Sequence, residues 1–216
     1  MIRTFAPTLI GVALAVNVAC TAKAAVITSN LANAFSGSTV VSDNLWVAQS
    51  FTTDGTMYAF DSITVSALGL ASTSDIEFSL WDNDAIGNNP GNLINILSGP
   101  GMPAVFTGYT YLPTASVMLV ANTKYWVLAR TQLGGDYLWV RTLDTSEVGP
   151  GTLGGSLGSA DLGVNWGEEG SDEAKFLSVE GTIVPEPSSL VLAVLAIFGM
   201  LAHGRRRRCV INSYVF

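Results

Sequence analysis

The 216-residue chain is 49% hydrophobic and only 12% charged, with a formal net charge of −7. Its single histidine, His203, and both cysteines, Cys20 and Cys209, lie near the two ends, which excludes histidine catalysis, thiol chemistry and a disulfide framework for the long stretch between. Residues 25–184 carry four basic side chains (Lys124, Arg130, Arg141, Lys175) against sixteen acidic ones, so the clustered Lys and Arg needed to bind nucleic acid or an anionic membrane surface are missing.

Residues 1–24 read as a secretory signal peptide: Arg3, an apolar run from Leu9 to Ala19, then Ala22-Lys23-Ala24, a small-x-small cleavage pattern. As a helix, that run reaches only about 17 Å, against a hydrocarbon core near 30 Å. Cleavage places the mature start at Ala25. Acylation of Cys20 is an alternative that the preceding Asn17-Val18-Ala19 disfavours.

Residues 25–184 form one exported domain of short alternating segments broken by Gly, Asn, Asp and Pro. Strands are expected over Leu45–Thr52, Asp61–Ala67, Asp75–Trp81, Asn92–Leu97, Tyr109–Leu112, Val117–Val120, Lys124–Arg130, Tyr137–Thr142 and Ala174–Val184. In Asp75–Trp81, Ile76, Phe78 and Leu80 share one face and Glu77 and Ser79 the other; in Asp61–Ala67, Ile63, Val65 and Ala67 point inward. The Gly-rich stretch from Val148 to Gly170 reads as long loops. Eight to ten strands with no helical periodicity predict an all-β, antiparallel β-sandwich of jelly-roll type, flanked by an N-terminal signal helix and a C-terminal hydrophobic helix.

Pro185, Glu186 and Pro187 then stop the last strand and hold an extended segment, because both prolines fix φ and lack an amide donor. A hydrophobic helix is expected over 190–204, apolar from Leu190 to Ala202 and roughly 20 Å long in that part. Arg205, Arg206, Arg207 and Arg208 follow as a cytoplasmic stop. This order, VPEPSSL, apolar run, RRRR, resembles the PEP-CTERM sorting signal of exosortase substrates in Gram-negative bacteria that make exopolysaccharide, a tail also classified as an ice-binding protein C-terminal element. Residues 209–216, CVINSYVF, extend beyond that pattern. LWVAQSFTTD at 45–54, FSLWDNDAIGNNPGNLINILSGP at 78–100 and ANTKYWVLA at 121–129 resemble the choice-of-anchor R domain, an exported β-sandwich module.

The resemblance implies export through the inner membrane, transient anchoring by the C-terminal helix, and processing at or near Pro185-Glu186-Pro187 by an exosortase-like membrane protease or transpeptidase. Release would be to the cell surface or extracellular matrix.

Candidate chemistry within 25–184 is sparse. Asp82, Asn83 and Asp84, followed by Asn88 and Asn89, place oxygen ligands at alternate turn positions as Ca²⁺ requires, though the same residues suit any tight turn. Calcium is the only cofactor the sequence raises. Gly154-Gly155-Ser156-Leu157-Gly158 fits G-x-S-x-G, but without a histidine it reads as a chance match. The acidic run Glu168, Glu169, Asp172, Glu173 reads as a solvated loop rather than a glycosidase carboxylate pair, for which Asp136 is the distant candidate partner. Trp46, Trp81, Trp126, Trp139 and Trp166 are core fillers or sugar-stacking platforms, with Trp81 and Trp126 the two placed to face outward. The expected role is non-enzymatic, a structural or adhesive surface component. Exopolysaccharide binding is the alternative, and a hydrolase relying on carboxylates alone is third.

Overall fold

The computed structural model describes residues 24–70, 76–101, 105–132, 135–169 and 173–184. The signal segment through Lys23, the Pro185-Glu186-Pro187 motif, the hydrophobic helix and the arginine cluster lie outside the described residues. Fourteen strands are present among the described residues, and no helix. In chain order they are β1 (Ala24–Ser29), β2 (Gly37–Val41), β3 (Trp46–Thr52), β4 (Tyr58–Gly69), β5 (Ile76–Asp84), β6 (Asn89–Ser98) and β7 (Thr107–Pro113). Then follow β8 (Met118–Leu119), β9 (Lys124–Thr131), β10 (Tyr137–Thr142), β11 (Thr152–Ser159), β12 (Gly167–Glu168), β13 (Ala174–Lys175) and β14 (Leu177–Ile183).

All pairings are antiparallel, in a curled sheet whose main path runs β1-β14-β4-β7-β6-β5-β9-β3-β11-β12, with β2, β8, β10 and β13 branching from it. The curl brings distant strands face to face. Phe78 of β5 meets Tyr111 of β7 at 4.7 Å, Tyr137 of β10 at 6.0 Å and Trp139 of β10 edge-on at 5.4 Å between ring centroids. Offset and edge-to-face geometries of this kind favour the ring quadrupoles and fill the interior. Trp139 keeps its indole N–H satisfied by donating to the Phe176 carbonyl at 3.1 Å.

Strand alternation sets which side is buried. Ile63, Val65 and Ala67 of β4 are fully buried, as the period-2 pattern predicts. In β9, Tyr125, Val127 and Ala129 join the core, so Trp126 and Leu128 project from the opposite side of the sheet.

Two expectations fail. The stretch from 148 to 170 is not all loop: β11 pairs with β3, and β12 with β11. Glycine is needed there because backbone and side chains approach closely; a Cβ on Gly154 would come within 2.3 Å of Ser50 Oγ. The strand count also exceeds eight to ten, because β1 and β2 were unforeseen and the expected strand over Ala174–Val184 is split at Phe176 into β13 and β14. β1 and β2 are short, and they form by pairing with strands the sequence does reveal, β1 with β14 and β2 with β10.

Candidate functional site

Four of the five tryptophans gather on or beside the outward side of β3, β9 and β5. Trp46 begins β3, Trp81 ends the regular part of β5 and Trp126 lies on β9, opposite Ser50 and Trp81 in register. Trp81 donates its indole N–H to Ser79 Oγ at 2.9 Å, and Trp126 donates to Asn83 Oδ1 at 2.9 Å. The Lys124 ammonium stands 4.5 Å from the Trp126 ring, and burial there lowers its pKa. The Arg130 guanidinium stands 4.8 Å over Trp46 and also pairs with Glu77 at 2.7 Å.

Trp126 points away from the core as expected yet is only 1% exposed, so it offers no stacking face to a ligand. At Trp46 the outer side is roofed by the connection between β11 and β12. At Gly163 a Cβ would fall 2.9 Å from the Trp46 ring and 3.6 Å from the Trp166 ring, so only glycine lets this loop lie so close. Gly163 also adopts φ +85°, and Leu162 beside it φ +61°, a conformation that costs a non-glycine residue strain.

Asp161 fastens the loop. Its carboxylate accepts the Asn165 backbone N–H at 2.8 Å, the Asn165 side-chain amide, and the Ser159 hydroxyl at 2.8 Å; these hydrogen bonds, the Asn165 backbone first, pull its pKa down to about 2. Ser159 Oγ in turn accepts the Gly163 N–H at 2.8 Å.

Because the roof is a loop rather than a sheet, it leaves openings at its sides. One, of about 480 Å³, lies between the loop (Gly163, Val164, Trp166) and the β5–β6 hairpin, which contributes Asp82, Asn83, Asp84, Asn89 and Asn92. The other, of about 520 Å³, is bounded by Asp43, Asn44, Trp46, Arg130, Gln132 and Leu162. The first cleft combines carboxylate and amide groups with one half-buried indole, the set that hydrogen-bonds hydroxyls and stacks on an apolar ring face.

The three residues foreseen as a cation site therefore do line a cleft, but their oxygens already serve the hairpin. Asp82 accepts the Asn92 backbone N–H at 2.5 Å and its side-chain amide at 3.0 Å, while Asp84 accepts the N–H groups of Ile86 and Gly87 at 3.1 Å each. Asn83 Oδ1 is taken by Trp126. Among the described residues no group of three or more His, Cys, Asp or Glu converges as a metal would require.

The remaining motifs fall elsewhere. Gly154–Gly158 lies within β11 rather than on a strand-to-helix elbow, and Ser156 is 2% exposed. In the acidic run, Glu168 is exposed, but Glu169 contacts Lys175 and Glu173 pairs with Arg141, so only part of it behaves as a solvated loop. The roofing loop falls within the stretch expected to be loops, but its packing against Trp46 carried no signal in the sequence. Comparison of the chain with known protein families and with curated proteins finds no match.

Proposed function

We propose that residues 25–184 are a carbohydrate-engaging, non-enzymatic adhesive domain of a surface protein. The curled sheet is read here as a jelly-roll-like sandwich, which keeps its rigid strands as a frame for loops. The tail beginning at Pro185-Glu186-Pro187 is the sorting signal, handled by an exosortase-like membrane enzyme, with Arg205–Arg208 as its stop and the cell surface or matrix as the destination.

The observation that carries the reading is the cleft between the hairpin and the roofing loop, where Trp166 faces Asp82, Asn83, Asp84, Asn89 and Asn92. Polar lining with a single aromatic wall suits a hydrated polyol better than an apolar metabolite. A hydrolase is less well supported: Asp82 and Asp84 sit on one hairpin and both cap its backbone, whereas glycoside cleavage needs carboxyl groups on opposite sides of the bond.

Affinity electrophoresis of the body in gels containing soluble polysaccharides tests this. Retardation is expected with at least one polysaccharide, and Trp166→Ala is expected to weaken it roughly tenfold while leaving the thermal midpoint nearly unchanged. Equal mobility of both proteins in every polysaccharide gel would end the proposal.

A further inference from the structure

At the opposite side of the sheet from the clefts, a lysine is buried against a carboxylate. Lys175 of β13 is 0% exposed, and its Nζ lies 2.9 Å from Glu169 Oε2, just after β12. The contact is one of charge and proximity rather than an aligned hydrogen bond, since Glu169 Oε2 is buried and accepts none.

Both partners are held in place. Lys175 Nζ donates to Thr39 Oγ1 at 2.5 Å, and its backbone N–H donates to Gln49 Oε1 at 2.7 Å. Glu169 is tied by its backbone N–H to the Ser156 carbonyl at 3.2 Å, and its carboxylate packs on Gly158, where a Cβ would come within 2.6 Å of Oε1. Arg141, opposite Lys175 in register, neutralises Glu173. That pairing leaves the amine and the Glu169 carboxylate facing each other.

We infer that Lys175 and Glu169 condense to an intramolecular isopeptide bond linking β13 to the end of β12. The balance is simple. A proton passes from the Nζ ammonium to Glu169 Oε2; the amine lone pair attacks Cδ; a second Nζ proton moves to the departing hydroxyl; one water leaves and the amide remains. No oxidant, metal or cofactor enters.

In free solution the ions win over the amide, but two conditions reverse that here. Fixed reactants gain an effective molarity on the order of 10⁵–10⁸ M. Burial also penalises the two ions and not the neutral amide that replaces them. The Glu169 side chain retains 16% exposure, which gives the water an exit. The bond would span the step where the chain passes from β12, paired with β11, to β13, paired with β10. In a body without cysteine, it supplies a covalent tie of another kind.

The test is a tryptic peptide map of the folded, soluble full chain after denaturation. The expected result is no cleavage after Lys175, a peptide lighter than its sequence by one water, and no backbone fragment ions between Glu169 and Lys175. Cleavage after Lys175 with full sequence mass overturns the inference, leaving an ordinary ion pair. Lys175→Arg keeps the cation but removes the nucleophilic amine, so the water deficit must vanish; its persistence would equally overturn the assignment. Neither result bears on the carbohydrate cleft, which shares no residue with this pair.

Discussion

The two sides of β9 use the same kind of residue and end in different states. Inward, Tyr125, Val127 and Ala129 meet the strands that curl over them, in a core closed around Phe78, Tyr137 and Trp139. Outward, Trp126 and Leu128 are buried just as deeply, with the Lys124 side chain over the Trp126 ring and, on neighbouring β3, the β11–β12 loop against Trp46. A sheet covers by periodic interdigitation and leaves few voids. A loop covers only where its backbone happens to pass, and its margins remain as clefts. Deep burial of an aromatic therefore does not by itself locate a core; what lies over it does.

Removing one indole from each side sharpens the contrast. Trp139→Ala should produce the largest loss, about 3–5 kcal/mol, because the rings around Phe78 cannot collapse into the cavity and the Phe176 carbonyl keeps only its longer bond from the Ser66 N–H. Chemical denaturation checks this, with a fall in midpoint at unchanged slope. Trp126→Phe should cost less, about 1–3 kcal/mol, largely through the stranded Asn83 Oδ1. Its hairpin should loosen locally, visible as faster amide exchange at Ile86 and Gly87. Equal costs and purely global exchange in the two variants would erase the distinction between the two sides.

What the sequence revealed follows the same division. Alternation in β4, β5, β9 and β10 is legible because each has one side against the core, so Ile63, Val65, Phe78 and Leu80 fall where period 2 places them. The second side of β5 misleads: Glu77 and Ser79 read as solvent-facing, yet they are 7% and 0% exposed, under Arg130, Gln132 and Trp81. β11 was illegible because its glycines are chosen for close approach to Ser50 and Glu169, which leaves no hydrophobic pattern to read. Half of the candidate site was visible as Asp82-Asn83-Asp84. The other half, Gly163 to Trp166, is some eighty residues away, and only the fold brings the two together.

The smallest expected effect concerns the fastening of the outer roof alone. Asp161 has its pKa depressed to about 2 from an ordinary 3.8, so its contribution to the folded loop is complete above about pH 4 and is lost as pH falls through 2. The sign follows from hydrogen bonds that only the ionised carboxylate accepts well: protonation weakens the hold on Asn165 and Ser159. In the inner core, burial pushes the Tyr137 hydroxyl well above the ordinary tyrosine value, so it stays protonated throughout this range. Between pH 4 and 2, amide exchange at Gly163 and Asn165 should therefore accelerate beyond its intrinsic acid dependence before any change at Val127 or Trp139. Asp161→Asn should abolish that step, because the amide cannot titrate and is a weaker acceptor at every pH. Simultaneous loosening of loop and core in both proteins would show that the roof is part of the core's cooperative unit rather than a separate cover over it.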